Sequence, residues 1–150
     1  MIKIGITGAT GSLGKIILKN KKFKISPFKG DIRKKNNLEN WIKKNKFKII
    51  FHLAAIVPIK VVNKNKKKAY DVNYNGTKNL IDLSLKYNVR WFFFSSTSHV
   101  YKPSNSKLNE NSKKDPISYY GFTKLKAEKY IIDNLGGKIN YCIGRIFSTT

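Results

Sequence analysis

The stretch "ITGATGSLGK", residues Ile6–Lys15, brings three glycines together directly behind an alternation of apolar residues at Ile2, Ile4 and Ile6. The alternation predicts a short strand, and apolar residues at helical spacing after Ser12 predict a helix for which Ser12 is the N-cap. The glycines therefore lie in a turn from a strand into a helix. Such a turn lets the backbone approach a phosphate closely, and the helix N-terminus adds partial positive charge. This stretch favours a bound anion.

The spacing of the glycines separates two classes of phosphate-binding loop. Gly8, Gly11 and Gly14 form G-x-x-G-x-x-G, which is one residue wider at its first gap than the usual dinucleotide fingerprint. The nucleoside-triphosphate loop needs a glycine where Ala9 stands and a hydroxyl where Ile16 stands. The sequence thus excludes a nucleoside-triphosphate loop. A dinucleotide site and a glycine-rich turn that only packs both stay open at this point.

Beyond this stretch the chain alternates predicted strands and helices. Predicted strands cover residues 23–27, 47–58, 89–98 and 139–147, and predicted helices cover residues 36–46, 65–87 and a segment that opens at Pro116 and ends at Gly136. The continuous apolar run within residues 47–58 is typical of a strand buried on both faces of a parallel sheet. The pattern predicts an α/β fold, a Rossmann-like doubly wound parallel sheet, in one domain over residues 1–150.

The charge of the chain is strongly positive. Thirty-one lysines and arginines against eight acidic residues give a formal net charge of +23. Because the lysines are spread along nearly every segment, we interpret the excess as a solvated surface with non-specific attraction to polyanions, not as a specific nucleic-acid site. His52 and His99 have no companions at ligand spacing, so no metal site is predicted.

The apolar residues set further limits. They make up 41% of the chain, which is enough for a core, and no apolar run is long enough to span a membrane. No basic leader with a cleavage site precedes the first strand, so we expect a cytoplasmic protein without a membrane partner. The single cysteine, Cys142, lies in an apolar stretch and is predicted to be part of the core.

Six short motifs together resemble the extended branch of the short-chain dehydrogenase/reductase superfamily, the NAD-dependent epimerase/dehydratase family. In chain order they are "TGATGSLG", "GDIR", "FHLAA", "VNYNGTKNL", "FFFSSTSHVY" and "YYGFTKLKAEKY". Each motif alone carries little weight, but the six occur in the family's order and cover almost the whole chain. The resemblance implies a cofactor, NAD or NADP, and a nucleotide-sugar substrate, and it leaves a homodimer open.

The resemblance also implies roles for individual residues. The cofactor-binding set is Gly8, Gly11, Ser12, Leu13 and Gly14 at the pyrophosphate, Asp31 and Ile32 beside adenine, Leu53, Ala54 and Ala55 along the ribose, Asn73 holding the long helix near the site, Ser95, and Phe147 beside the nicotinamide. The catalytic set is Thr97, Tyr120 and Lys124, of which Tyr120 and Lys124 also belong to the cofactor-binding set.

The chemistry of the catalytic set follows from general principles. Tyr120 and Lys124 are four residues apart, which puts both side chains on one face of a helix. A free phenol has a pKa of about 10, and a nearby ammonium favours the phenolate, so Lys124 is predicted to lower the pKa of Tyr120. Thr97, at the end of a strand, would donate its hydroxyl to a substrate oxygen while Tyr120 moves a proton.

Two features depart from the family's pattern. Where NAD-dependent relatives carry a carboxylate at the end of the second strand, this chain has Ser26 and Lys29, which favours NADP and leaves NAD open. The chain also stops soon after Phe147, where relatives continue into a substrate-binding part. We therefore expect either an N-terminal fragment of a longer enzyme, with its substrate domain absent or truncated, or a minimal domain without a complete active site.

The leading hypothesis for function is an NAD(P)-dependent nucleotide-sugar epimerase/dehydratase. A keto-reductase similar to dTDP-4-dehydrorhamnose reductase is an alternative, because only one predicted strand fits between the first helix and Gly30. A non-catalytic regulatory subunit that binds cofactor would not depend on Tyr120 and Lys124. In a protein that binds polyanions, binding would depend on the lysines and not on the glycine loop.

Overall fold

Strands and helices alternate along residues 2–147, which are the residues that the computed structural model describes. The strands are β1 (Lys3–Thr7), β2 (Lys24–Pro27), β3 (Ile49–His52), β4 (Trp91–Thr97) and β5 (Asn140–Ile146). The helices are α1 (Ser12–Leu18), α2 (Lys35–Asn45), α3 (Ile59–Lys64), α4 (Lys66–Tyr70), α5 (Thr77–Lys86) and α6 (Tyr119–Leu135). A π-helical turn, Asp71–Gly76, joins α4 to α5, and a 3₁₀ turn, Ser98–Val100, follows β4.

The strands form one parallel sheet in the order β2-β1-β3-β4-β5. β2 lies on one side of β1, and β3, β4 and β5 follow in order on its other side. Because crossovers between parallel strands are right-handed, α1 lies on one face of the sheet and α2, α5 and α6 lie on the other. The strand order reverses between β1 and β3, which is where doubly wound folds bind ligands. The predicted Rossmann-like sheet is confirmed.

The core lies between the sheet and the layer of α2, α5 and α6. Ile50, Phe92 and Phe94 point into this layer and are fully buried against apolar residues of the three helices. We call this side the covered face. The opposite side, which we call the open face, carries α1 among the described residues, and Phe51 and Phe93 there are only half-buried.

Cys142 is exposed, so its predicted place in the core is wrong. It lies on the edge strand β5, in register with Phe93. Residues paired across a sheet point to the same face, so Cys142 belongs to the open face with Phe93. An apolar stretch indicates a strand, but it does not tell which face of that strand a helix covers.

Three predicted helix boundaries also differ. Gly11, not Ser12, is the N-cap of α1, and no side chain caps that helix. The last helix does not open at Pro116: Ser118 is its N-cap, and Ser118 Oγ accepts from the backbone N–H of Gly121 at 3.0 Å. The predicted helix over residues 65–87 is broken into α4, the π turn and α5, and α3 precedes it.

Candidate active site

A groove of about 710 Å³ opens at the carboxyl ends of β1, β2 and β3, at the point where the strand order reverses. Seven residues that were predicted to bind cofactor line it, namely Gly8, Gly11, Asp31, Ile32, Leu53, Ala54 and Ala55. Lys29, which favoured NADP, lines it too. Its walls also include Thr10 and Val72, which lie within quoted motifs but had no assigned role, and Phe28 and Val57, which lie outside those motifs. The groove therefore joins motifs that lie far apart in the sequence.

The three glycines of the first loop do different things. Gly8 has a φ of +74°, and a Cβ there would lie 2.5 Å from the backbone nitrogen of Ala54. A Cβ on Gly14 would collide with the carbonyl oxygen of Gly8. A Cβ on Gly11, in contrast, would meet Gly8 O at an ordinary 3.4 Å. The fold thus needs glycine at positions 8 and 14 but leaves room for a side chain at position 11.

The remaining predicted cofactor residues do not line the groove. Ser12 and Leu13 are exposed at the start of α1, and Ser95 is half-buried in β4. Phe147 is 51% exposed, and its ring stacks on Tyr101 with 6.3 Å between centroids. Gly14, Asn73, Tyr120 and Lys124 are buried.

Asp31, in the wall of the groove, is already hydrogen-bonded. Both of its carboxylate oxygens accept hydrogen bonds from the Arg33 side chain, at 2.5–3.0 Å, and Oδ1 also accepts from the Arg33 backbone N–H at 2.9 Å. The hydrogen bonds to the Arg33 guanidinium lower the pKa of Asp31 to about 2. The carboxylate is therefore ionised and oriented in the groove wall at neutral pH.

The predicted catalytic residues come together at the end of β4. Thr97 is the last residue of β4, Tyr120 and Lys124 lie one turn apart on α6, and all three are at most 6% exposed. Gly121 permits this approach, because a Cβ there would collide with the backbone carbonyl of His99. The ring of His99 packs edge-on against Tyr120, with 5.9 Å between centroids.

The charge states in this group differ from the prediction. Burial raises the pKa of Tyr120, and the opposing contribution comes from the Thr97 hydroxyl and not from Lys124. Lys124 Nζ lies 4.0 Å from the ring centroid of Phe94, and burial lowers the pKa of Lys124 to about 7 against the attraction of Glu128. The prediction that the Lys124 ammonium lowers the pKa of Tyr120 is wrong for this structure, because both groups are desolvated.

Behind Lys124 lies an ion pair that no motif predicted. Arg145 Nε and Nη2 donate to the two carboxylate oxygens of Glu128 at 3.0 and 2.8 Å, and Ser96 Oγ donates to Glu128 Oε1 at 2.5 Å. Arg145 Nη1 also donates to the hydroxyl of Tyr101 at 2.8 Å. These hydrogen bonds connect α6 to β4 and β5 one helical turn after Lys124.

Two kinds of feature are absent from residues 2–147. No helix in this range is both long and apolar enough to cross a membrane. Nor does this part of the chain bring three or more histidine, cysteine, aspartate or glutamate side chains together in a way that would hold a metal ion.

The parallel strand order and the glycine loop at the switch point define a Rossmann-like fold. The sequence matches the NAD dependent epimerase/dehydratase family over residues 4–150, and the chain belongs to that family. It is 34% identical over 106 residues to the UDP-glucose 4-epimerase of Rhizobium meliloti (strain 1021), and this alignment covers 70% of this chain and 32% of that protein. It is 30% identical over 161 aligned positions to an uncharacterized UDP-glucose epimerase of Bacillus subtilis (strain 168), covering 85% of this chain and 50% of that protein.

Solved structures give the same fold. The dTDP-4-dehydrorhamnose reductase of Bacillus anthracis, in complex with NADP, matches with a TM-score of 0.89 and 25% identity over 98% of this chain and 54% of that one. The UDP-glucose 4-epimerase of Thermus thermophilus, in complex with NAD, matches with a TM-score of 0.88 and 20% identity over 96% of this chain and 54% of that one. The chain spans between a third and about half the length of these proteins.

Proposed function

We propose that this chain is the cofactor-binding part of an NAD(P)-dependent nucleotide-sugar epimerase/dehydratase. The main support for the proposal is Gly11. The fold leaves room for a side chain at this position, yet the residue that lines the groove there is glycine. A bare backbone there fits the close approach of a pyrophosphate. The family, whose relatives include UDP-glucose 4-epimerases, supports a nucleotide sugar as substrate, and we expect the enzyme to act in the cytoplasm.

The catalytic roles in this proposal belong to the residues at the end of β4 and on α6. The nicotinamide, when bound, would accept or return a hydride. Tyr120 would have to be ionised to take the proton of a sugar hydroxyl, which turns the phenolate into a phenol that can later return the proton. Thr97 would donate a hydrogen bond to the same sugar oxygen, and Lys124 would bind the nicotinamide ribose. We expect the isolated chain to bind cofactor with little or no turnover. A sugar nucleotide that is not held close to the nicotinamide loses most of the rate advantage that proximity gives.

The experiment that tests the proposal is calorimetric titration of the wild type and Gly11→Val with NADP and with NAD. We expect the wild type to bind at least one cofactor and Gly11→Val to lose that binding while its unfolding transition stays close to the wild-type one. Gly14→Ala is the matched contrast, because its new Cβ would collide with Gly8 and should disrupt the loop itself. Equal affinity of the wild type and Gly11→Val would refute the proposal.

Two further substitutions test the catalytic roles on the same titration. Tyr120→Phe should leave cofactor affinity almost unchanged, and in an enzyme with a complete substrate site it should cost on the order of 10² to 10⁴ in rate. Lys124→Met should weaken cofactor binding. If Tyr120→Phe turned over a nucleotide sugar as fast as the wild type, the acid–base role of Tyr120 would be refuted.

The choice between the two cofactors rests on Lys29. This exposed lysine lines the groove beyond the end of β2, and a basic residue there suits the 2′-phosphate of NADP. Lys29→Glu should therefore reduce affinity for NADP more than affinity for NAD. Lys21→Glu, which makes the same charge change at an exposed site that does not line the groove, is the control.

A keto-reductase is the second candidate. It is favoured by the single strand, β2, on the far side of β1 and by the similarity to the NADP-bound dTDP-4-dehydrorhamnose reductase. A reductase consumes one reduced cofactor for each substrate molecule, whereas an epimerase leaves the amount of oxidised cofactor unchanged. Following absorbance of the reduced nicotinamide during turnover by an enzyme with a complete substrate site would distinguish the two.

A further inference from the structure

A series of buried hydrogen bonds crosses the protein between the groove and the helix of Tyr120, and His52 is at its centre. His52, the last residue of β3, is fully buried. Its Nδ1 lies 2.6 Å from Thr7 Oγ1 in β1, and its Nε2 lies 2.7 Å from Thr77 Oγ1 at the start of α5. Thr7 Oγ1 also accepts from the backbone N–H of Ala54, in the groove wall, at 3.4 Å. The imidazole therefore joins the neighbouring strands β1 and β3 to the helix layer.

The direction of each hydrogen bond follows from its neighbours. Thr77 Oγ1 donates its one proton to the backbone carbonyl of Asn73, at 2.8 Å, so it can only accept from His52 Nε2. A neutral imidazole has a single N–H, so Nδ1 accepts from the Thr7 hydroxyl. Burial, with a smaller contribution from the charge of Lys124, lowers the pKa of His52 to about 3. The ring is thus neutral, with its proton on Nε2.

The series continues through the side chain of Asn73. Asn73 Oδ1 accepts from the backbone N–H of Ile56 at 2.8 Å, and Asn73 Nδ2 donates to Ile56 O at 3.1 Å. The same Nδ2 donates to Thr123 Oγ1 at 3.2 Å, and that hydroxyl donates to the backbone carbonyl of Tyr120 at 2.8 Å. Asn73 therefore connects the loop after β3 with the first turn of α6.

Two properties make this series a defined connection. The side chains of Thr7, His52, Asn73, Thr77 and Thr123 are at most 1% exposed, and each is hydrogen-bonded. A buried polar network holds a single arrangement when every member is hydrogen-bonded. If one member is removed, its neighbour is left buried without a hydrogen bond, which costs free energy. Asn73 also lies in the π-helical turn, and such turns occur frequently at functional sites.

We propose that His52 is a positioning residue that fixes the cofactor-binding ends of β1 and β3 relative to the helix of Tyr120 and Lys124. It does not line the groove, so it acts through Thr7 and Ala54 on one side and through Thr77 and Asn73 on the other. This role rests on the proposed function, because it concerns the alignment of cofactor with the catalytic helix.

The test compares two substitutions of His52. His52→Gln keeps one donor and one acceptor, spaced much as the two ring nitrogens are, so it can serve both threonines. His52→Phe fills the space but serves neither. Phe92→Leu, a buried change in β4 outside the hydrogen-bond series, is the control for loss of packing alone. If His52→Phe does not fold, His52→Asn, whose shorter side chain does not reach both threonines, takes its place.

Two readouts separate positioning from packing. Cofactor titration should give about tenfold weaker binding for His52→Phe, which corresponds to about 1.4 kcal/mol, with His52→Gln and Phe92→Leu close to the wild type. Amide resonances of Thr123 and Tyr120 should shift when cofactor binds the wild type and His52→Gln, and much less in His52→Phe. If His52→Phe binds cofactor with unchanged affinity and unchanged shifts, the positioning role is wrong. If the wild type itself binds neither cofactor, the proposed function is wrong and the positioning role falls with it.

The imidazole can also be observed directly, without cofactor. Nitrogen-15 NMR of the His52 ring should show a proton on Nε2 and an unprotonated Nδ1, unchanged between pH 8 and pH 5. A proton on Nδ1, or titration of the ring within this range, would overturn the assigned direction of the hydrogen bonds and the proposal with it.

Discussion

The two faces of the sheet use the same kinds of residue but are packed very differently. On the covered face, Ile50, Phe92 and Phe94 are fully buried beneath α2, α5 and α6. On the open face, Phe51 and Phe93 are half-buried, although they stand in the same strands and alternate with the others. The difference shows that stability in this part of the chain comes mainly from one side of the sheet.

The covered face also holds three buried polar groups beside the candidate site. His52, Lys124 and Glu128 are at most 2% exposed, and they lie beside the carboxyl ends of β3, β4 and β5 on this face. A well-packed layer can hold charged and hydrogen-bonding groups in fixed positions and out of water. These three groups therefore stand at the edge of the packed layer, whereas Thr97 alternates with Ser96 along β4 and belongs to the side of Phe93.

The largest expected effect is a difference between two neighbouring phenylalanines. Phe92→Ala removes a fully buried ring from the covered face and should lower the free energy of unfolding by about 3–5 kcal/mol. Phe93→Ala removes the same atoms from the open face, where the ring is already partly in water, and should cost roughly 1 kcal/mol. Urea unfolding of the two variants measures both values. Equal losses would show that the two faces are packed alike.

The second prediction concerns Lys124, whose position on the covered face costs stability. Its pKa is lowered from 10.5 to about 7 by burial, so the folded chain releases this proton more readily than the unfolded chain. At pH 7 and below, the ammonium is buried on folding, and its full desolvation cost lowers the free energy of unfolding. Between pH 7 and pH 10.5 the unfolded chain holds more protons, so stability rises with pH.

Lys124→Met should remove this cost. At pH 7 the free energy of unfolding should increase by roughly a few kcal/mol, because each unit of pKa corresponds to about 1.4 kcal/mol, and the rise toward pH 10 should disappear. Lys129→Met, which removes the same charge from an exposed position on α6, is the control and should change little. A Lys124→Met variant that is less stable than the wild type would show that the lysine contributes to folding rather than to a site.

The sequence predicted the fold because its signals are local. The alternation before Gly8, the apolar run within residues 47–58 and the helical spacing on α6 each indicate an element without knowledge of the rest, although β3 itself covers only Ile49–His52. It did not predict which face of β5 is covered, because that depends on where the helices pack. Cys142 was misplaced for this reason.

The candidate site was predictable to a similar extent. The family resemblance implied Thr97, Tyr120 and Lys124, spacing placed Tyr120 and Lys124 on one helix face, and the structure brings all three together. Motif spacing did not reveal that His52 bonds to Thr77, since the two lie 25 residues apart and only the fold makes them neighbours. Burial then reversed the expected direction for the pKa of Tyr120, and burial is a tertiary property.

The smallest expected effect belongs to Cys142, and it tests the open face directly. Because this side chain is exposed, Cys142→Ser should change the free energy of unfolding by less than about 0.5 kcal/mol. In the native wild type, the thiol should react with an aromatic disulfide reagent at a rate comparable with that in urea, since exposure controls access to a thiol. Protection at every protein concentration would show that Cys142 is covered within the chain, contrary to the structure. Protection only at high protein concentration would show that a second copy covers the open face, and the contrast between the two faces would then hold for the monomer alone.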